Sequence, residues 1–327
     1  MRPLPRTLVR TLAVVATGTL AATLVAAPSS AVATTTLNPP KLPRGADVAI
    51  PHLEGKTIVD GATRIRIKAP TLRLLGKSGT SYIVGTADPQ GAHGQFFRVQ
   101  PDGTRTKLGR ADIFQTELSD DGQRLVTTKV PSNRKTIVTV WSATSGDTVA
   151  SRSFKGYASA LDADTDRVLV GGPGKTWLWT TSTDSVGVVA REAGYAGDLS
   201  ADVLASYTKD PYQGGCTVVR KLSTGAQLWK SCKERVEGFN ADGSRMATID
   251  ILSDGIGPGY VAVRGSTGHK FGAYTVTRGW FGAIDFETTT AVLLETNGPR
   301  KAATVRCIDA GCERASALSP TVQPRVA

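Results

Sequence analysis

Thr136-Ile137-Val138-Thr139-Val140-Trp141-Ser142-Ala143-Thr144-Ser145-Gly146-Asp147-Thr148 joins two strand-like runs through a glycine turn, and the second run continues to Phe154. The turn comes back at Asp60-Gly61, Asp102-Gly103, Thr224-Gly225, Thr267-Gly268 and Ala310-Gly311. From glycine to glycine the steps are 42, 43, 79, 43 and 43 residues. The long step spans two periods, and Ser182-Thr183-Asp184 marks its middle without a glycine. Glycine supplies the left-handed backbone that a short hairpin loop needs. Threonine and aspartate just before it can bond their own backbone. Between the turns lie short runs rich in valine, threonine and isoleucine, with no helical periodicity. Seven turns at a period near 42 predict an all-β chain folded as a seven-bladed β-propeller, its blades mostly four-stranded and antiparallel. Solenoid repeats are usually shorter, and a sandwich has no need of so regular a period.

A second marker runs in phase with the first. Leu118-Ser119-Asp120-Asp121-Gly122, Leu161-Asp162-Ala163-Asp164-Thr165, Leu199-Ser200-Ala201-Asp202 and Phe239-Asn240-Ala241-Asp242-Gly243 each precede an apolar run, with Leu75 and Ile284 in equivalent places. Residues 1–33 read as a secretory signal: Arg2, Arg6 and Arg10, then an apolar stretch from Leu12 to Ala27, then Ala31-Val32-Ala33 as a cleavage site. A retained membrane anchor is the alternative. Residues 34–45 form a proline-rich N-terminal arm, read as extended, and residues 46–327 a single propeller domain. The 294 residues after the signal match seven units of 42. The first unit lacks a clear innermost strand, and the segment from Ala317 to Val326 is expected to supply it. The expectation is a secreted, extracellular monomer with no membrane span after signal removal. The net charge of +11 falls to about +8 without the three signal arginines. It favours an anionic partner. It is spread along the chain, and no nucleic-acid motif accompanies it.

Thr139-Val140-Trp141-Ser142-Ala143-Thr144-Ser145-Gly146 resembles the end of a WD40 repeat, with looser copies ending at Gly225 and Gly268. The Leu-Ser-Asp-Asp-Gly step looks like the loop before the innermost strand of WD40-like and TolB-like propellers. Trp141 is followed by serine rather than aspartate, and no unit holds a Gly-His pair. The resemblance covers roughly Leu75 to Ser316 and implies a fold more than a function. Its members bind proteins, peptides or glycans, and related propellers include enzymes.

Four cysteines in an exported chain imply two disulfides. Cys216 and Cys232 flank the turn at Gly225, and Cys307 and Cys312 flank that at Gly311, so the expected pairs are Cys216–Cys232 and Cys307–Cys312. No metal and no cofactor are expected. His52, His93 and His269 fall in different units, and there is no nucleophile elbow, zinc-protease helix or phosphate loop. Asp162-Ala163-Asp164-Thr165-Asp166 alternates like a calcium loop, but Arg167 stands where glycine is needed, so turn capping is the expectation.

Four residues before successive leucine markers stand Phe114, Tyr157, Tyr195, Arg235 and Trp280. That position precedes the innermost strand of each blade, so these side chains are expected around one mouth of the central channel, as a ligand or partner site. Packing between blades is the alternative. The loops 88–93, 131–135, 172–175, 209–213 and 297–301 should open on the same face and make it basic. The functional expectation is a non-catalytic binding scaffold for an extracellular protein, peptide or anionic cell-envelope glycan. A propeller hydrolase, lyase or cofactor-dependent dehydrogenase with its site on that face is the rival, and a purely structural protein a third class.

Overall fold

The computed structural model describes residues 32–321, residue 133 excepted. The signal reading of residues 1–33 falls almost wholly outside these, and so do residues 322–327. Among the described residues seven separate sheets, antiparallel but for one strand added from the N-terminal arm, follow one another along the chain as the blades of a propeller. Blade one has three strands, His52–Glu54, Thr57–Asp60 and Thr63–Arg66. Each later blade opens with an innermost strand: Thr71–Ser78, Thr116–Leu118, Ser159–Ala163, Ala193–Asp198, Glu234–Phe239 and Trp280–Phe286 for blades two to seven. Three more strands run outward from each in chain order.

All seven repeated turns join the third strand of a blade position to the fourth. In five of them glycine takes the left-handed conformation, as at Gly146 with φ +79°, where a β-carbon would lie 2.3 Å from the Leu108 carbonyl oxygen. Blades four and seven use Asp184 and Asp309, both at φ +50°. Aspartate tolerates that region at a small cost, so the period survives where the glycine is lost or displaced. The Leu-Ser-Asp-Asp-Gly step lies after the innermost strand, joining it to the second, and not before it: Thr116–Leu118 ends where the turn begins.

The second strands carry unbroken apolar runs, such as Val168-Leu169-Val170, because both faces of a blade are covered. Outermost strands alternate: Thr148–Lys155 buries only Phe154 fully. The core lies between blades. Val126, Val138, Val140 and Phe154 of blade three pack on Val168, Val170 and Trp179 of blade four. The cysteines pair as Cys216–Cys232 and Cys307–Cys312, each across one hairpin.

The chain ends depart from expectation. Ser319–Pro320 pairs with Lys301 and Ala302 of blade seven, so among the described residues it does not complete blade one. The N-terminal arm is not a free extended segment. Thr34–Leu37 adds to blade six as a fifth, parallel strand and buries Leu37 completely. A 3-10 turn, Pro39–Lys41, redirects it. The chain then bonds along the outer strand of blade seven, through Arg314 N–H to Pro43 O and Gly45 N–H to Arg314 O. Among the described residues no helix is long and apolar enough to cross a membrane.

Candidate functional site

The innermost strands of blades three to six surround a cavity of about 430 Å³ in the central channel. Three of these strands are bulged at one unpaired residue: Leu161 in blade four, Tyr195 in blade five and Glu237 in blade six. A bulge bends a strand and redirects side chains, and all three bulged residues line the cavity. Gly238 follows the last of them, and a β-carbon there would meet open space.

Phe114 and Tyr195 border the cavity at the end where the inner strands begin. At the other end, Asp120, Asp162 and Asp198 each place a carboxylate oxygen within 4.8 Å of the other two. Glu117 and Glu237 lie between. The channel wall therefore presents carboxylates, whereas the basic character expected from the sequence concerned the loop face around the mouth. Asp162 is 8% exposed, and burial pushes its carboxyl up to about 7. The Leu199 and Ala163 amides, which donate to it at 2.6 and 2.7 Å, hold it down, while Asp120 and Asp198 raise it further. Burial also raises Asp120, with Asp198 adding to the shift. Glu117 and Glu237 are raised by burial and partly restored by Arg73 and Arg235. Such a group attracts cations, whether a metal ion or an ammonium or guanidinium group, because a positive charge relieves the mutual repulsion. The three aspartates are the residues that can hold a metal, one oxygen each.

The five residues singled out in the sequence all stand within two residues of the start of an inner strand, but the structure gives them different duties. Phe114 is 57% exposed and rests on the loop at Gly91, where a β-carbon would lie 2.9 Å from its ring. Tyr157 is 66% exposed on the same rim. Tyr195 is half-buried: its hydroxyl meets Thr217 Oγ1 at 3.1 Å and accepts the Val236 amide at 2.9 Å, and its ring stacks on Tyr207 at 4.0 Å. Burial raises that hydroxyl far above the ordinary tyrosine range. Arg235 donates to Ser253 O at 3.2 Å and pairs with Glu237 at 3.0 Å. Trp280 opens the inner strand of blade seven opposite Asn297, half-buried beneath Gly257. Only Phe114 and Tyr195 border the cavity.

The acidic triad is what the sequence reading missed. Asp120 stands two residues after its leucine marker, Asp162 one after, and Asp198 one before. Alignment of the repeats therefore scatters them, and only the fold brings them together. Asp164 and Asp166 do cap turns, toward Arg167 and Ser182, whereas Asp162 belongs to the strand and reaches the next blade.

No known family model matches the chain, and no curated protein matches it. Solved structures do resemble it. The β-propeller domain of the trilobed protease from Pyrococcus furiosus, described as having an open velcro topology, superposes with a TM-score of 0.60 at 12% identity, over 83% of this chain and 89% of that one. An acylaminoacyl peptidase matches with a TM-score of 0.59 at 11% identity, over 80% of this chain and 47% of its own. The WD40 domain of Toxoplasma gondii coronin matches with a TM-score of 0.50 at 13% identity, over 84% and 77%. At such identities the likeness is one of fold alone: the chain is a seven-bladed propeller, similar in architecture to the propeller domains of these proteins.

Proposed function

We propose that the protein is an exported, non-catalytic binding module whose central channel takes a cationic group of an extracellular protein or peptide. Export rests on the signal reading of residues 1–33. The binding reading is carried by one observation: a cavity of about 430 Å³ with an aromatic residue at its rim and five carboxylates along its wall. Phe114 supplies apolar contact area, and Tyr157 extends it along the rim. Ser159 and Asp162 lie three residues apart on one inner strand, so rim and triad are separated by roughly 10 Å. A lysine or arginine side chain on a protruding segment matches that depth and polarity. An anionic glycan does not suit this wall.

The test is fluorescence anisotropy with labelled tetralysine and tetraglutamate at low salt. Tetralysine is expected to bind and tetraglutamate not. Gly238→Leu fills open channel space and Asp198→Asn removes one charge while keeping an acceptor, so each should weaken tetralysine about tenfold or more without loss of fold by circular dichroism. Absence of tetralysine binding, or binding indifferent to both substitutions, refutes the reading. One observation favours an enzyme instead. The Asp162 carboxyl, at about 7, suits a general acid or base. Turnover of a glycan, lactone or peptide substrate that is lost in Asp162→Asn would establish it.

A further inference from the structure

A second cavity, of about 220 Å³, opens between blades four and five at the rim end of the channel. Its wall includes Arg191 and Lys209, both exposed. Neither has a carboxylate within 4.0 Å among the described residues. The two acids beside them are already engaged. Glu192 Oε1 is held by Arg220 Nη2 at 2.5 Å. Asp210 Oδ1 accepts the Tyr212 amide at 2.9 Å and caps the short turn Pro211–Gln213. With Arg220 set against Glu192, Arg191 and Lys209 outnumber the remaining carboxylate, Asp210, and the pocket keeps a net positive charge. It also adjoins the channel: Tyr195 borders one cavity, Tyr207 the other, and their rings stack at 4.0 Å.

We infer that the ligand is a peptide segment carrying both signs of charge, its lysine or arginine side chain in the channel and a carboxylate against Arg191 and Lys209. The inference rests on the binding reading above and adds to it a second subsite and a ligand class. Geometry sets the order of the charges. The carboxylates of the triad lie deep, at the far end of the inner strands, and the cations lie on connecting loops at the rim. A ligand thus inserts its cation and leaves its carboxylate outside, on the side of blade five. Residues Lys209 to Gly215 form a tight turn over this pocket, with Gly215 pressed against the Lys209 carbonyl so that a β-carbon would fall 2.0 Å from its oxygen. That holds the Lys209 backbone in place, so on ligand arrival only the exposed Arg191 and Lys209 side chains have to be ordered. A guanidinium and an ammonium together accept a carboxylate by charge-assisted hydrogen bonds.

The experiment uses three labelled peptides that share a Gly-Gly spacer: Lys-Gly-Gly-Glu, Lys-Gly-Gly-Gln and Gln-Gly-Gly-Glu, each amidated at its C-terminus. With the native protein at low salt, the first is expected to bind roughly fivefold tighter than the second, the upper end for one exposed ion pair. In Arg191→Gln/Lys209→Gln that ratio should collapse to about one, with the melting temperature unchanged because both side chains are exposed. Equal binding of the first two peptides to the native protein overturns the second subsite while leaving the channel reading in place. So does a ratio that persists in the double variant. If no lysine peptide binds the native protein, the channel reading fails, and this inference fails with it.

Discussion

Asp162 has both carboxylate oxygens committed to backbone amides, and two further carboxylates within 4.8 Å. Its carboxyl stands at about 7 in the fold against 3.8 for an unperturbed aspartate. The folded state therefore holds this proton more tightly than the unfolded chain does. Stability from this group is greatest below the unfolded value and is lost as pH rises from about 4 to about 7; above 7 it no longer changes. The full effect is up to about 4 kcal/mol. Carboxylates with lowered values, such as Glu234 and Glu287, act in the opposite direction but below their own ordinary range. The window from pH 5 to pH 8 thus reports on the raised carboxyls, Asp162 together with Asp120, Glu117, Glu237 and Asp285, and the Asp162→Asn variant separates its own share. The native protein is expected to melt higher at pH 5 than at pH 8, and Asp162→Asn should reduce that difference. Differential scanning calorimetry at the two pH values checks it. Phe114 makes a separate prediction at this scale. Being exposed, Phe114→Ala should leave the melting temperature within about 2 °C while weakening peptide binding at the rim about five- to tenfold, read by anisotropy.

The arm and the disulfides show what an element adds beyond its residues. Thr34–Leu37 forms a parallel strand against Ala273 to Val276 and fills the blade-six core with Leu37, which is 0% exposed. Leu37→Ala should cost about 2 to 5 kcal/mol, as a cavity in a packed core does, and urea unfolding measures it. Cys216–Cys232 closes a separation of 16 residues, worth roughly 3 kcal/mol in the chain-entropy model. Both pairs were legible in the sequence because each turn fixes the register around it. The seven hairpins were legible for the same reason: a turn is a local event, written in a few adjacent residues. The strand at Thr34–Leu37 was not, because its partner lies 239 residues away and the prolines that follow it, Pro39, Pro40 and Pro43, suggest only an extended segment. The acidic triad was hidden for a different reason, its members being only 42 and 36 residues apart. Its three members sit at different offsets in three blades, and bulges in blades four and five shift the phase that a repeat alignment relies on.

A ring of blades must be held shut, and among the described residues no sheet combines strands of blade one with strands of blade seven. The closure is made instead by side chains and by the arm. Arg306 of blade seven forms an ion pair with Glu287, whose side chains are 12% and 5% exposed. Arg306 also donates to the Ala46 carbonyl at 3.1 Å and the Asp47 carbonyl at 2.9 Å. Glu287 accepts the Ala49 amide at 2.6 Å. The segment that leads into blade one is thus held by a charged clamp on blade seven. Glu287 pulls the Arg306 guanidinium further above its already high ordinary value, and Arg306 holds Glu287 below the usual carboxylate range. Removal of one partner strands the other, because a buried charge without its counter-ion keeps its desolvation penalty. Arg306→Met is therefore expected to cost about 3 to 5 kcal/mol, a fall in melting temperature of roughly 10 °C for a chain this size. Arg306→Met/Glu287→Leu should cost less than the single substitution, since the only carboxylate then left without Arg306 is its second partner Glu313, at 2.8 Å in the native fold and 39% exposed. Hydrogen exchange then separates closure from general loss of stability. In the Arg306→Met variant the amides of residues 45 to 49 should exchange before those of the second strand of blade four, Arg167–Gly172, which lies far from the clamp. Uniform acceleration across all blades, or a single variant no less stable than the double, would show that the ring is closed by something other than this pair.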